Sequence, residues 1–324
     1  MHSQLTGYTV YTTKNLLLIL SVILCFGWMT PANPKPVFSI HETEQGIALA
    51  EHGKPVFFYQ RKPKLSGEKY SYNNYLHPLY NLEGDTLTEE FPEDHIYHRG
   101  IFWAWHQVYE KDRKIGDSWM MENMSQDVVA LKSIILEKEF RLQLNLLWHS
   151  TVLENDQPFI AENTTITVHQ QQKGIRMIDF EISLQALVPG VSLGGSEDEK
   201  GYGGFCTRIK LPANLSFTGK NGPVKPKEGQ VIAGEWMDFS ANFDHAKKNK
   251  TGLTILCHKT TPNYPAPWIL RQTGSMQNIV FPGNHRLEIP VQSPIVLKYR
   301  LLIHNGDANA LNIREQQASY EKYN

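Results

Sequence analysis

From about residue 36 onward, apolar positions recur mostly with period two, the spacing that sends alternate side chains to one face of a β-strand. Phe140-Arg141-Leu142-Gln143-Leu144-Asn145-Leu146, Thr164-Thr165-Ile166-Thr167-Val168-His169 and Arg176-Met177-Ile178-Asp179-Phe180-Glu181-Ile182 all alternate in this way. The breaks between them, Glu154-Asn155-Asp156-Gln157-Pro158 and Gln172-Lys173-Gly174, have turn composition. Residues 46–51 and 56–59 flank His52-Gly53-Lys54-Pro55 and predict a hairpin. Residues 254–257 and 295–303 predict two further strands, and only the tail, 308–323, reads as a helix. The chain is therefore expected to be all-β: a large antiparallel two-sheet β-sandwich with a short C-terminal helix laid on the sheets. Gly and Pro are spread throughout and mark no linker, so residues 33–324 read as one domain.

The N-terminus breaks this pattern. Lys14 precedes an apolar run at 16–29, and Pro31-Ala32 follows it. One positive charge, a short apolar core and a small residue at the exit predict a signal peptide over residues 1–32, hence a secreted or periplasmic protein. An uncleaved anchor is the alternative, but the run is shorter than the roughly 20 residues a span requires. A lipoprotein site at Cys25 is disfavoured by the bulky Leu24 before it.

Composition narrows the class without naming it. The 324 residues are 41% hydrophobic and 20% charged, which excludes a disordered chain. Lys+Arg total 32 against Asp+Glu 33, so no basic excess marks a nucleic-acid or membrane-surface partner. Beyond the apolar run two cysteines remain, Cys206 and Cys257, readable as a disulfide or as two buried thiols.

Candidate chemistry is densest between residues 73 and 123. Asp94-His95-Ile96-Tyr97-His98-Arg99-Gly100 leads into Ile101-Phe102-Trp103-Ala104-Trp105-His106, and Gly116-Asp117-Ser118-Trp119 closes the segment. Titratable groups beside aromatic walls suit a sugar, whose C–H faces stack on indoles and whose hydroxyls bond acids and imidazoles. His95 and His98 could act as acid or base, or could bind a divalent metal with Asp94 or Glu93. Arg99 is a candidate anchor for a carboxylate or hydroxyls, or else a surface ion pair with Asp94.

Three further clusters follow. Gly201-Tyr202-Gly203-Gly204-Phe205, then Arg208, predicts a close backbone approach beside a strand. Gly234-Glu235-Trp236-Met237-Asp238 offers Glu235 and Asp238 as paired carboxylates. His258, then Pro265-Ala266-Pro267-Trp268 and Arg271, forms a Pro-stiffened loop that would hold Trp268 firmly. No His-Glu-x-x-His or dinucleotide-binding glycine pattern occurs.

Taken together these motifs resemble a bacterial family named methane oxygenase PmoA-like. The resemblance rests on Tyr75-Leu76-His77-Pro78-Leu79-Tyr80, the Asp94–Trp103 and Gly116–Trp119 motifs, Glu162, Tyr202-Gly203-Gly204-Phe205, Glu235-Trp236-Met237-Asp238-Phe239-Ser240, the Pro265–Arg271 motif and Tyr299–Asp307. It spans about residues 70–307. Tyr97 and Tyr202 stand where that family often carries His and Asp, and the first departure removes one possible metal ligand. The resemblance implies a secreted, galactose-mutarotase-like supersandwich that keeps company with polysaccharide-degrading systems.

Three functional readings follow. The first is a carbohydrate-active enzyme: a hydrolase, lyase or epimerase without a cofactor. In it His95 or His98 moves a proton, and Glu162 or Asp238 is the opposing carboxylate. Arg99 and Arg271 anchor the sugar, Trp105, Trp119 and Trp268 wall it, and Glu235 and His258 complete the binding set. The second is a non-catalytic carbohydrate-binding protein. The third is an oxygenase using a metal held by two His and a carboxylate.

Overall fold

The computed structural model describes residues 36–243 and 249–322. The signal-peptide reading of residues 1–32 lies outside the described residues. The chain divides into Met1–Pro36 and a single unit, Val37–Asn324. No described helix is long and apolar enough to cross a membrane.

Two large antiparallel sheets dominate. The eight-stranded sheet runs, in spatial order, Phe38–Glu42, Gly46–Glu51, Lys54–Gln60, Tyr75–Leu79, Ile101–Trp105, Gly203–Thr207, Gln277–Val280 and Trp268–Ile269. The nine-stranded sheet begins with the meander Met124–Ile135, Glu139–Ser150, Ile160–His169 and Ile175–Ala186. It continues through Ile295–Asn305, Thr251–Cys257, Trp236–Ala241, Ser216–Gly219 and Gly222–Pro223. The expected hairpin forms, with Glu51 opposite Lys54. A small sheet pairs Gln107–Glu110 with Arg113–Gly116 and Val191–Gly194, and was not legible in the alternation.

The inner faces meet in one apolar core. Phe180 of the nine-stranded sheet packs on Trp103 and Phe205 of the eight-stranded sheet, at 6.3 and 5.1 Å between ring centres, and Phe205 stacks on Tyr299 at 4.7 Å. Each fully buried Phe or Leu contributes ~1.5–3 kcal/mol relative to exposure, so this layer supplies the main drive to fold. The tail forms a helix, α1 (Ile313–Tyr320), capped by the Asn312 side chain. Its Ile313 and Tyr320 pack on Trp236, Leu256 and Leu302, on the outer face of the nine-stranded sheet. Cys206 and Cys257 are both free and buried, which decides that question for thiols.

The outer face of the eight-stranded sheet carries a second apolar cluster of Tyr72, Tyr75, Phe102, Ala104, Trp119, Cys206 and Met276. Strand alternation explains it: Trp103 and Trp105 point into the main core, while Phe102 and Ala104 point outward. This outer cluster is the floor on which the histidine-rich loop sits.

Candidate functional site

Loop 91–100 folds back on itself through backbone bonds from His95 to Pro92, from His98 to His95 and from Phe91 to His98. Gly100 then returns the chain to the sheet at φ +40°, where a Cβ would lie 1.9 Å from the Leu76 carbonyl oxygen. Only glycine allows that approach, and it fixes where His98 and Arg99 project. A second anchor comes from Ser118. Its hydroxyl accepts from the Trp105 N–H at 2.8 Å, and its own N–H donates to the Trp105 carbonyl at 2.9 Å. Asp117 is thereby brought beside His106.

The result is a cavity of about 460 Å³. His95, His98 and His106 face it with Trp119, Tyr97 and Tyr202, and Lys200 and Arg271 stand at its rim. Cavities of similar size lie around Arg61 and Gln126 and around Asp179 and Tyr320, but neither places a tryptophan beside an imidazole. The aromatic geometry is tight. His95 stacks parallel on His98 at 4.6 Å, His106 stacks on Trp119 at 4.7 Å, and Tyr97 meets His98 edge-on at 4.9 Å.

Two histidines are held by fixed partners. Nδ1 of His106 lies 2.9 Å from Oδ2 of Asp117, and Oδ1 of Asp117 accepts the backbone N–H groups of Trp119 and Met120. Nδ1 of His98 lies 3.3 Å from a terminal nitrogen of Arg208. Arg208 in turn grips Glu89 at 2.8 Å and both oxygens of Asp94 at 2.9 and 3.0 Å. Burial, followed by the neighbouring His95 and Arg208, pushes the His98 imidazole down to about 2. Burial works to raise the Asp94 carboxyl, but the bonds from Arg208 and His95 outweigh it and hold the group below its ordinary value. Burial raises the phenols of Tyr97 and Tyr202.

Of the residues to which the sequence assigns a catalytic or binding role, His95, His98, Trp119 and Arg271 line this cavity, and the others do not. Glu162 is in phase with Ile160 and Ile166, so it points between the sheets. There it accepts from Trp103, Trp148, Asn74 and Thr164 at 2.8–3.1 Å, which makes it an interior tie between the two sheets rather than a partner for His98. Asp238 is in phase with Trp236 and lies on the outer face of the nine-stranded sheet, fully buried. It accepts from Ser240, Thr254 and His304 at 2.6, 2.8 and 2.9 Å.

The remaining aromatic and charged candidates are also placed elsewhere. Trp105 donates to the Phe281 carbonyl at 2.8 Å inside the core, and Trp268 donates to the Gly234 carbonyl at 2.9 Å, so neither indole is a free wall. Glu235 pairs with Lys220 at 3.1 Å. His258 packs against Tyr320 at 5.0 Å beside α1. Arg99 is neither a ligand anchor nor a partner of Asp94. It is buried between the rings of Tyr72 and Phe102 and donates to the carbonyls of Tyr97, Trp119 and Ser118. It staples loop 91–100 to the Ser118-Trp119 turn.

The donor set does not fit a divalent metal. Stacked parallel rings turn their faces, not their lone pairs, toward each other, and a guanidinium occupies Nδ1 of His98. Among the described residues no group of three His, Cys, Asp or Glu is placed to hold one.

Reading the motifs missed the pairing of His106 with Asp117. Both residues stood in the dense segment, but nothing local signals a contact across eleven positions. The close backbone approach expected at the glycine cluster is present: a Cβ on Gly195 would lie 2.2 Å from the Gly201 carbonyl oxygen.

Comparisons with known proteins place the chain among relatives. No curated protein sequence matches it. Among solved structures it is similar to a provisionally assigned mutarotase (YeaD) from Salmonella typhimurium, at 8% identity and a TM-score of 0.33, over 82% of this chain and 90% of that one. None of these matches bears the PmoA name that the motifs suggested. Residues 46–318 match a family model, and the chain belongs to that family: the family of unknown function DUF6807.

Proposed function

We propose that the cavity binds a sugar or sugar derivative and that His106 is the base of an acid–base reaction on it. One observation carries this reading. The His106–Asp117 pair, at 2.9 Å, leaves Nε2 of His106 without a partner among the described residues, in a cavity lined by Trp119, Tyr97 and Tyr202. The carboxylate holds the ring with its proton on Nδ1 and steadies the cation that forms when Nε2 takes a second proton. Trp119 is buried beneath His106 and backs its ring, and the half-buried Tyr97 and Tyr202 supply the apolar faces a pyranose needs.

Glycoside hydrolysis in its usual form uses two carboxyl groups flanking one bond. Here Asp117 is committed to His106 and two backbone N–H groups, Asp94 to Arg208, and Glu162 and Asp238 are buried elsewhere; Glu228 also lines the cavity, exposed and 3.8 Å from Lys200, but one such carboxylate is not an opposed pair. Within carbohydrate chemistry this favours an epimerase or lyase over a hydrolase. With the signal expected at residues 1–32, the reaction would take place outside the cytoplasm.

The test is a panel of sugars, sugar acids and oligosaccharides, read by thermal shift and by product formation. A ligand at ~100 times its dissociation constant adds ~2.7 kcal/mol to stability. His106→Gln should keep the shift and lower turnover by ~10²–10⁴. A sugar shift with no product from any ligand would leave a binding protein, and full turnover in His106→Gln would overturn the assignment of the base.

A further inference from the structure

The partner of His98 fixes the chemistry of the ligand more closely. A guanidinium has donors only, so the His98 Nδ1 that faces Arg208 at 3.3 Å must be the unprotonated nitrogen. The ring proton therefore sits on Nε2. Arg208 cannot turn away, because Glu89 and Asp94 hold its other nitrogens. Nε2 of His98 has no partner among the described residues, although the side chain is only 3% exposed and lines the cavity. His106 has the opposite polarity, since Asp117 accepts from its Nδ1 and leaves the Nε2 lone pair to the cavity. Trp119 touches both, stacked on His106 at 4.7 Å and edge-on to His98 at 6.2 Å. The site thus offers one fixed donor and one fixed acceptor, both lining the same cavity and both resting against one indole.

Resting on the sugar reading of the cavity, we propose that His98 is a permanent hydrogen-bond donor to the carbonyl oxygen of a keto or aldehydo sugar, and that His106 removes the proton from the carbon next to that carbonyl. Nε2 of His106 takes the C–H proton, and the C–H electron pair becomes a C=C bond. The carbonyl π pair moves to oxygen, and this enolate oxygen rests on the His98 N–H. Return of the proton from His106 to the opposite face of the same carbon, after the intermediate turns over in the site, restores the carbonyl and completes an epimerisation. Return to the former carbonyl carbon, while the hydroxyl proton of the neighbouring carbon passes to the former carbonyl oxygen and that C–O becomes the new carbonyl, completes an isomerisation, with atoms and electrons balanced in both. A neutral imidazole suits this role, since it donates without giving its proton away. It does not suit protonation of a glycosidic leaving oxygen. Arg208 is then a positioning residue acting through His98.

Three measurements decide it. Long-range ¹H–¹⁵N spectra between pH 5 and 9 should show His98 as the Nε2–H tautomer throughout, without titration; an Nδ1–H tautomer or a titrating His98 overturns the proposal. Thermal shifts should separate pentono- and hexonohydroxamates, which mimic an enediolate, from the matching alditols, which have no carbonyl. The hydroxamates should bind at least tenfold more tightly than the alditols, lose that advantage in His98→Ala, and keep most of it in His98→Gln, which retains an N–H donor. Equal binding of both classes overturns the carbonyl inference while the sugar site stands, and binding of no carbohydrate at all overturns both. In D₂O, any sugar that is turned over should exchange its α-proton, and turnover without exchange overturns the step.

Discussion

Asp117 uses both carboxylate oxygens on the same turn: Oδ2 lies 2.9 Å from Nδ1 of His106, while Oδ1 accepts the N–H groups of Trp119 and Met120. One side chain therefore orients the base and shapes the stacking wall. Asp117→Asn keeps the volume but replaces one acceptor oxygen with an NH₂ group. We expect turnover to fall by ~10²–10⁴ with ligand affinity changed far less, because the imidazole loses its orienting charge. Steady-state kinetics on the first converted sugar checks this, and a loss confined to KM would argue against it.

Glu162 gives the converse expectation. Four donors converge on a carboxylate that burial pushes up. In Glu162→Gln an NH₂ group must face an indole or hydroxyl donor, leaving buried groups unpaired at a cost of about 1–3 kcal/mol. Chemical denaturation should show that loss while ligand binding to the folded fraction stays unchanged. Intact stability combined with lost turnover would return Glu162 to the catalytic set.

The three tryptophans proposed as sugar walls should separate by phenotype. Trp119→Ala should weaken sugar binding about tenfold or more, since it removes the buried ring on which His106 rests and lets the imidazole shift. Trp105→Phe leaves the Phe281 carbonyl without its donor, and Trp268→Phe does the same to Gly234. Each should cost about 1–3 kcal/mol of stability with little change in affinity. Isothermal titration set beside thermal melts distinguishes the two patterns.

Acid should weaken the fold partly through Asp179. Burial works to raise this carboxyl, but the bonds from Arg300 and His169 outweigh it and hold the group below its ordinary value. Its folded pKa thus lies below its unfolded value of about 3.9. The contribution is fully present above that pH and is lost as pH falls through the folded pKa. Asp179→Asn should therefore melt well below wild type at pH 6, and the gap should narrow below about pH 4. A gap that is constant with pH would remove Asp179 as a source of acid sensitivity.

Gly100 tests how the loop is placed. Alanine there would meet the Leu76 carbonyl oxygen at 1.9 Å and keep an unfavourable φ of +40°. Gly100→Ala should cost at least ~1–3 kcal/mol and displace His98 from Arg208, visible as a changed His98 tautomer in the same ¹H–¹⁵N spectra.

The sequence by itself determined the strand content, the long meander and the short terminal helix. Period-two alternation and turn composition are local properties, and they survive folding unchanged. Alternation also showed that Glu162 shares a face with Ile160 and Ile166, and that Trp103 and Trp105 share theirs. It could not say that those faces are interior, because Phe102 and Ala104 on the opposite side are equally apolar. Only the tertiary structure decided that. Burial of a strand face depends on which sheet covers it, and the partners lie far away in the chain: Trp103 meets Glu162, and Arg208 meets His98. The His106–Asp117 pair was invisible for the same reason, since a hook between Ser118 and Trp105, not residue spacing, brings the two together.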